Sequence, residues 1–154
     1  MEKTNVMRLL DIAGINYIPH EYDSAVDKGE EVARLVSKPC DEVFKTLVTT
    51  CDKGGFFVFV IPVNTTLNLK KAAKAAGVKS VQMLKQKDLL PLTGYVHGGC
   101  SPVGMKKPFP TYINETAVLF DTICVSAGKR GYQIEVEPNA LLSYVGASYV
   151  DLTD

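Results

Sequence analysis

A lysine interrupts an apolar run, Val43-Phe44-Lys45-Thr46-Leu47-Val48, whose β-branched and aromatic content predicts a strand. Side chains of a strand alternate between faces, so Lys45 shares one with Val43 and Leu47 while Phe44, Thr46 and Val48 take the other. Both faces are largely apolar. The ammonium must therefore either snorkel to an edge or enter a pocket, where it can hold an anionic or carbonyl oxygen.

Two glycine-dense stretches could bring backbone close to a ligand. In Gly98-Gly99-Cys100-Ser101-Pro102-Val103-Gly104 the glycines remove side chains that would block approach, leaving N–H and C=O groups to face a guest such as an ester carbonyl becoming an oxyanion. A plain structural loop has the same composition. The second stretch, Ser126-Ala127-Gly128-Lys129-Arg130-Gly131, carries two cations suited to phosphate. Neither G-x-G-x-x-G nor G-x-x-x-x-G-K-[ST] occurs, so no nucleotide loop is predicted. Cys100 lies three residues after His97, which raises a thiol nucleophile with a histidine base as a further option. No Ser/His/Asp spacing and no paired carboxylates suggest a conventional side-chain hydrolase.

The elements that must position these residues follow from periodicity and punctuation. Thr4 or Asn5 caps a helix with apolar Val6, Leu9, Leu10 and Ala13, stopped by Gly14. A strand over 16–22 follows, then a helix capped by Asp27, carrying Val32, Leu35 and Val36, and ended by Pro39. Strands 43–50 and 56–63 form a hairpin around Cys51-Asp52-Lys53-Gly54-Gly55 and are placed at the centre of the sheet. Asn68 opens a lysine-rich helix over 69–76 that Gly77 closes. Short strands are predicted at 80–83, 111–113, 122–126, 132–136 and 148–151, with a helix over 139–144. Residues 93–110, crowded with glycine and proline, read as one loop. The mixture of hairpins and helical crossovers predicts an α+β fold, one domain over 1–154, with a mixed and mainly antiparallel sheet flanked by helices.

Composition sets limits on partners and compartment. A chain of 154 residues, 46% hydrophobic, can bury a single core. It has no apolar run of the roughly 20 residues that span a bilayer and no secretory pattern at its start, so a cytoplasmic protein with no membrane role is expected. Cys40, Cys51, Cys100 and Cys124 form no C-x-x-C pair and only two histidines exist, so neither disulfides nor a metal is expected. The formal charge is zero but uneven: residues 70–130 hold 10 basic and 3 acidic side chains, flanked by 7 and 10 before and 0 and 4 after. If Lys70, Lys71, Lys74, Lys79, Lys106, Lys107, Lys129 and Arg130 fold onto one face, they offer a site for a polyanion such as RNA. Ordinary solvated faces would have the same counts.

Several ordered segments together carry a resemblance. They are His20-Glu21-Tyr22, Val43-Phe44-Lys45-Thr46-Leu47, Leu67-Asn68-Leu69-Lys70-Lys71-Ala72-Ala73-Lys74, Thr93-Gly94-Tyr95, the 98–104 glycine stretch and Val125-Ser126-Ala127-Gly128-Lys129-Arg130-Gly131. Nearly end to end, the chain resembles the YbaK family of Cys-tRNA(Pro) deacylases, related to the editing domain inserted in bacterial prolyl-tRNA synthetases. The resemblance implies a trans-editing hydrolase that breaks the aminoacyl ester of mischarged tRNA without a cofactor. It implies that Lys45 is the residue most tied to activity, and that Tyr22, Gly98, Gly99, Ser101, Ser126, Arg130 and Gln133 bind the aminoacylated terminal adenosine. Gln133 stands where the family commonly has aspartate, and cannot supply a negative charge; Cys100 stands where relatives carry an aliphatic residue. The resemblance further implies that the substrate cysteine's thiol attacks its own ester, and that prolyl-tRNA synthetase can present the tRNA. Two other activities fit the residues: deacylation of another amino acid such as alanine, and tRNA binding without catalysis. Oligomeric state is not encoded in any of these features.

Overall fold

The computed structural model describes all 154 residues. Helix α1 (Asn5–Ala13) is capped by Thr4, whose Oγ1 accepts from the Met7 N–H at 3.3 Å, and it closes on Gly14 in the left-handed region at φ 72°. It buries Val6, Met7 and Leu10. Strand β1 (Tyr17–Glu21) leads to α2 (Gly29–Leu35).

Here the expected cap fails. Lys28 precedes the helix without any side-chain cap bond, and Asp27 stands outside it with its side chain toward Arg130. Packing explains the shift: a Cβ on Gly29 would lie 2.6 Å from Val63, so α2 can start against that strand end only at a glycine. The helix also ends before Pro39, with Ser37 taking a left-handed φ of 60°.

The central hairpin is β2 (Phe44–Cys51) and β3 (Phe56–Pro62), antiparallel with Lys45 opposite Ile61. Helix α3 (Leu69–Ala76) follows, capped by Asn68 and Gly77, then β4 (Val81–Met83). Helix α4 (Gln86–Thr93) has no counterpart in the sequence-based elements; Pro91 within it breaks the helical signal, yet most of its residues are exposed or half-exposed, where water can satisfy the freed carbonyl. The chain then crosses a loop to β5 (Thr111–Asn114), a 3-10 turn (Glu115–Leu119), β6 (Ile123–Ser126), β7 (Tyr132–Val136), α5 (Pro138–Val145) and β8 (Ser148–Val150).

The strands form two sheets rather than one. Three are antiparallel in the order β1-β7-β6; five run β4-β2-β3-β5-β8, with β5 parallel to both neighbours. The α+β class and the central place of the hairpin hold. A parallel bridge between Val43 and Cys124 joins the sheets. The main core lies between them, where Phe44, Val48, Val58 and Val60 meet Ile123, Val125, Ile134 and Val136, with α1 closing one end. On the opposite face of β3, Phe59 and Ile61 pack under Ala72 and Ala73 of α3. Burial on both faces is why β3 reads as an unbroken apolar run, and each such fully buried side chain contributes roughly 1.5–3 kcal/mol. Val32, Ala33 and Val36 of α2 cover Val43, Val63 and Cys124 over the seam between the sheets.

Candidate functional site

The seam opens into a cavity. On its outer edge β2 is bridged to Cys124 at Val43 and pairs with β4 only from Thr49 onward, with the Leu84 N–H reaching the Val48 carbonyl. Residues 44–47 therefore pair with no strand on that edge. All four line a cavity of about 160 Å³, which explains how side chains of both strand faces reach one space.

Five of the residues that the resemblance assigns to the substrate line it together: Tyr22, Lys45, Gly98, Ser126 and Gln133. Ser126 and Gln133 are cross-strand partners on β6 and β7, and His20 on β1 continues the same row. Lys45 is half-buried and makes no ion pair or hydrogen bond; burial pushes its pKa below the ordinary lysine value, with the charge of Glu30 opposing. Gln133 is 6% exposed, and its buried amide oxygen has no protein partner. The Thr46 hydroxyl is likewise buried and unpaired. Unsatisfied buried polar groups are rare, and two of them line this one cavity beside an unpaired ammonium.

The remaining candidates lie elsewhere. Ser101 is fully buried and its Oγ accepts from the Val103 N–H at 3.2 Å, a bond internal to the loop and away from the cavity. Gly99 donates its N–H to the Val96 carbonyl, so only the Gly98 N–H of this pair remains free. Arg130 stands at the rim: its Nε donates to the His97 carbonyl at 2.8 Å, and a Cβ on Gly98 would lie 3.0 Å from that nitrogen. The two glycine turns thus abut, and a Cβ on Gly99 would meet the Arg130 backbone nitrogen at 3.1 Å.

Cys100 and His97 both line the cavity but share no hydrogen bond. Burial pushes the Cys100 thiol up to about 12, which works against the thiolate that a nucleophile requires. Asp27, Val32, Leu89 and Thr46 also line the space, and sequence reasoning did not select them; only the tertiary fold brings them there.

The eight cations that could have shared one face are dispersed among α3 with its following turn, the loop before β5, and the β6–β7 turn. Several are met by carboxylates of the acidic flanks: Lys129 by Glu2 at 2.9 Å, Lys71 by Asp151 at 2.9 Å, Arg130 by Asp27 at 3.8 Å. Lys70, Lys74, Lys79, Lys106 and Lys107 make no ion pair, and of the three groups the β6–β7 turn adjoins the cavity.

Beside the cavity wall, His20, Cys124 and Glu135 bring one potential metal ligand each within 4.8 Å of the others. The carboxylate is already committed: it accepts from Thr122 at 2.6 Å, from Lys38 at 3.0 Å and pairs with His20 at 2.9 Å. Burial alone would raise the Glu135 pKa, but these three partners hold it near about 2. The Lys38 ammonium supplies the positive charge that a cation would bring, so the cluster is a self-contained ion-pair hub.

Residues 23–144 match the family described as the aminoacyl-tRNA editing domain. The chain is 47% identical over 154 residues, 99% of its own length and 94% of the other's, to EbsC of Enterococcus faecalis, a candidate Cys-tRNA(Pro)/Cys-tRNA(Cys) deacylase. It is 28% identical over 124 residues to a proline–tRNA ligase of Shouchella clausii, matching 80% of this chain but only 21% of that enzyme. Among solved structures, a candidate trans-editing enzyme for prolyl-tRNA synthetase superposes with a TM-score of 0.85 at 25% identity, covering 97% of this chain and 94% of that one.

Proposed function

The chain belongs to the aminoacyl-tRNA editing domain family, and from that premise we propose that its cavity deacylates mischarged Cys-tRNA(Pro). The observation that carries this reading is Lys45, an ammonium with no protein partner in a cavity that also holds Tyr22, Ser126, Gln133 and the free Gly98 N–H. A carbonyl oxygen gaining negative charge is the guest such donors suit, and removing one donor of this kind typically costs about 10²- to 10³-fold in rate.

No side-chain nucleophile faces the cavity in an activated form, since the Cys100 thiol is held protonated by burial. The substrate supplies its own. Its cysteine sulfur attacks the ester carbon, a C–S bond forms as the C–O bond to the ribose breaks, and the thiol proton ends on the departing ribose oxygen. Free tRNA leaves, and water opens the resulting cyclic thioester. The protein's share is position and charge stabilisation; holding a neighbouring nucleophile in attack geometry can supply about 7–11 kcal/mol. Tyr22, Gln133 and Ser126 form the wall against which the terminal adenosine ester lies, and Arg130 at the rim faces the incoming phosphates.

A zero net charge with several cations already paired gives a weak and salt-sensitive hold on tRNA. Prolyl-tRNA synthetase, whose editing regions the chain resembles, is the partner that would present the substrate. The test is a panel of charged tRNAs assayed with and without that synthetase. Preferential loss of cysteine from tRNA(Pro), enhanced by the synthetase, is expected; faster loss of alanine or another residue would reassign the substrate, and binding without ester loss would reduce the protein to a binding module.

A further inference from the structure

The cavity needs a counter-charge for an amino group, and its lining contains one carboxylate. Asp27 is the only acidic residue there. Glu30 acts on Lys45 through its charge but does not line the space, and Glu135 behind the wall is spent on Lys38, His20 and Thr122. Gln133 is neutral. Asp27 has no capping duty on α2, and its nearest cation, Arg130, stands at 3.8 Å, beyond hydrogen-bond range. Its side chain is 45% exposed, so the carboxylate sits at the mouth, beside Gly98, where a Cβ would come within 3.3 Å of the Asp27 Cβ. The charged and titratable groups around it are Arg130 on the β6–β7 turn, His97 on the glycine loop, Tyr22 after β1, Cys100, and Lys45 on β2.

An aminoacyl ester carries an α-amino group that is partly or wholly cationic near neutral pH. Lys45 repels it and Gln133 can offer it only a dipole. We propose that Asp27 anchors the α-ammonium of the substrate at the mouth of the cavity, which leaves the unpaired Gln133 amide for an uncharged group of the ester end. The assignment rests on reading the cavity as an aminoacyl-ester site. It makes the protein selective for a free amino group over a blocked one.

The test compares Cys-tRNA(Pro) with its N-acetylated form on the full chain. Wild type should favour the free amine, and Asp27→Asn should lower kcat/KM for it about tenfold, as expected for a partly exposed charge-assisted hydrogen bond, while leaving the N-acetyl ester unchanged. The discrimination then collapses toward one, and Asp27→Glu restores part of it. Equal losses on both esters would show a merely structural aspartate, and no loss on either would show an idle one; each overturns the assignment while wild-type turnover keeps the deacylase reading. Failure of wild type to hydrolyse either ester would sink that reading and this inference with it.

Discussion

Two half-buried lysines stand near the seam between the sheets, and their surroundings are opposite. Lys38 reaches Glu135 at 3.0 Å, and that hydrogen bond raises its pKa. Lys45, on the neighbouring strand edge, finds no carboxylate, and burial lowers its pKa. The first pair closes a network in which Thr122 and His20 complete the acceptor needs of one carboxylate. The second opens onto space, with Gln133 and Thr46 unpaired around it. A satisfied polar cluster contributes to stability, whereas an unsatisfied one costs stability and is retained where a ligand will complete it.

The contrast breaks most visibly at the hub. Glu135→Ala should destabilise the protein by about 3 kcal/mol, the lower end for a broken buried pair, because the half-buried Lys38 charge loses its partner; urea unfolding followed by circular dichroism measures it, and a change under about 1 kcal/mol would deny the hub its role. Acid should reproduce part of this effect. The Glu135 pKa is held near about 2 in the folded chain, below the 4.5 of a free side chain, so its contribution is complete above pH 4.5 and lost as pH falls toward 2. That contribution amounts to up to about 3 kcal/mol, and Glu135→Gln should flatten the acid limb of the melting-temperature profile. At the cavity the sign turns over: Lys45→Met removes an uncompensated ammonium and should leave stability unchanged or raised by up to about 1 kcal/mol, checked in the same unfolding assay. The smallest effect belongs to Cys100→Ser, where a thiol that burial keeps protonated is exchanged for a hydroxyl; turnover of Cys-tRNA(Pro) should stay within about threefold of wild type, the range of a lost packing contact rather than of a lost nucleophile.

Much of the scaffold was legible because local chemistry and tertiary structure agree. Thr4 with Gly14 and Asn68 with Gly77 bracket their helices as capping rules require, and the apolar runs on either side of Gly54 pair as expected. The lining of the candidate cavity was legible in part: Lys45 breaks an otherwise apolar strand, and the resemblance carried by short motifs pointed to Tyr22, Gly98, Ser126 and Gln133, which line the same space. What escaped was set by packing. Asp27 has the residue type of a helix cap, but the close approach of Gly29 to Val63 moves the helix start beyond it and leaves its carboxylate at the cavity mouth. Pro91 hid α4. Ser101 looks like a ligand-facing hydroxyl in a glycine loop until its bond to Val103 is seen. The division into two sheets, and the free edge of β2 between them, depends on pairings between strands far apart in the chain, such as Tyr17 with Val136 and Val58 with Thr111, which no local pattern encodes.

The most direct measurement is single-turnover deacylation of Cys-tRNA(Pro) by Lys45→Met, at a temperature where unfolding shows variant and wild type equally folded. If the partnerless ammonium stabilises the charge that develops on the ester, the rate falls by at least about a hundredfold. A rate within about threefold of wild type, too small for a lost oxyanion donor, would contradict the account, because the cavity would then work without the charge around which it is built.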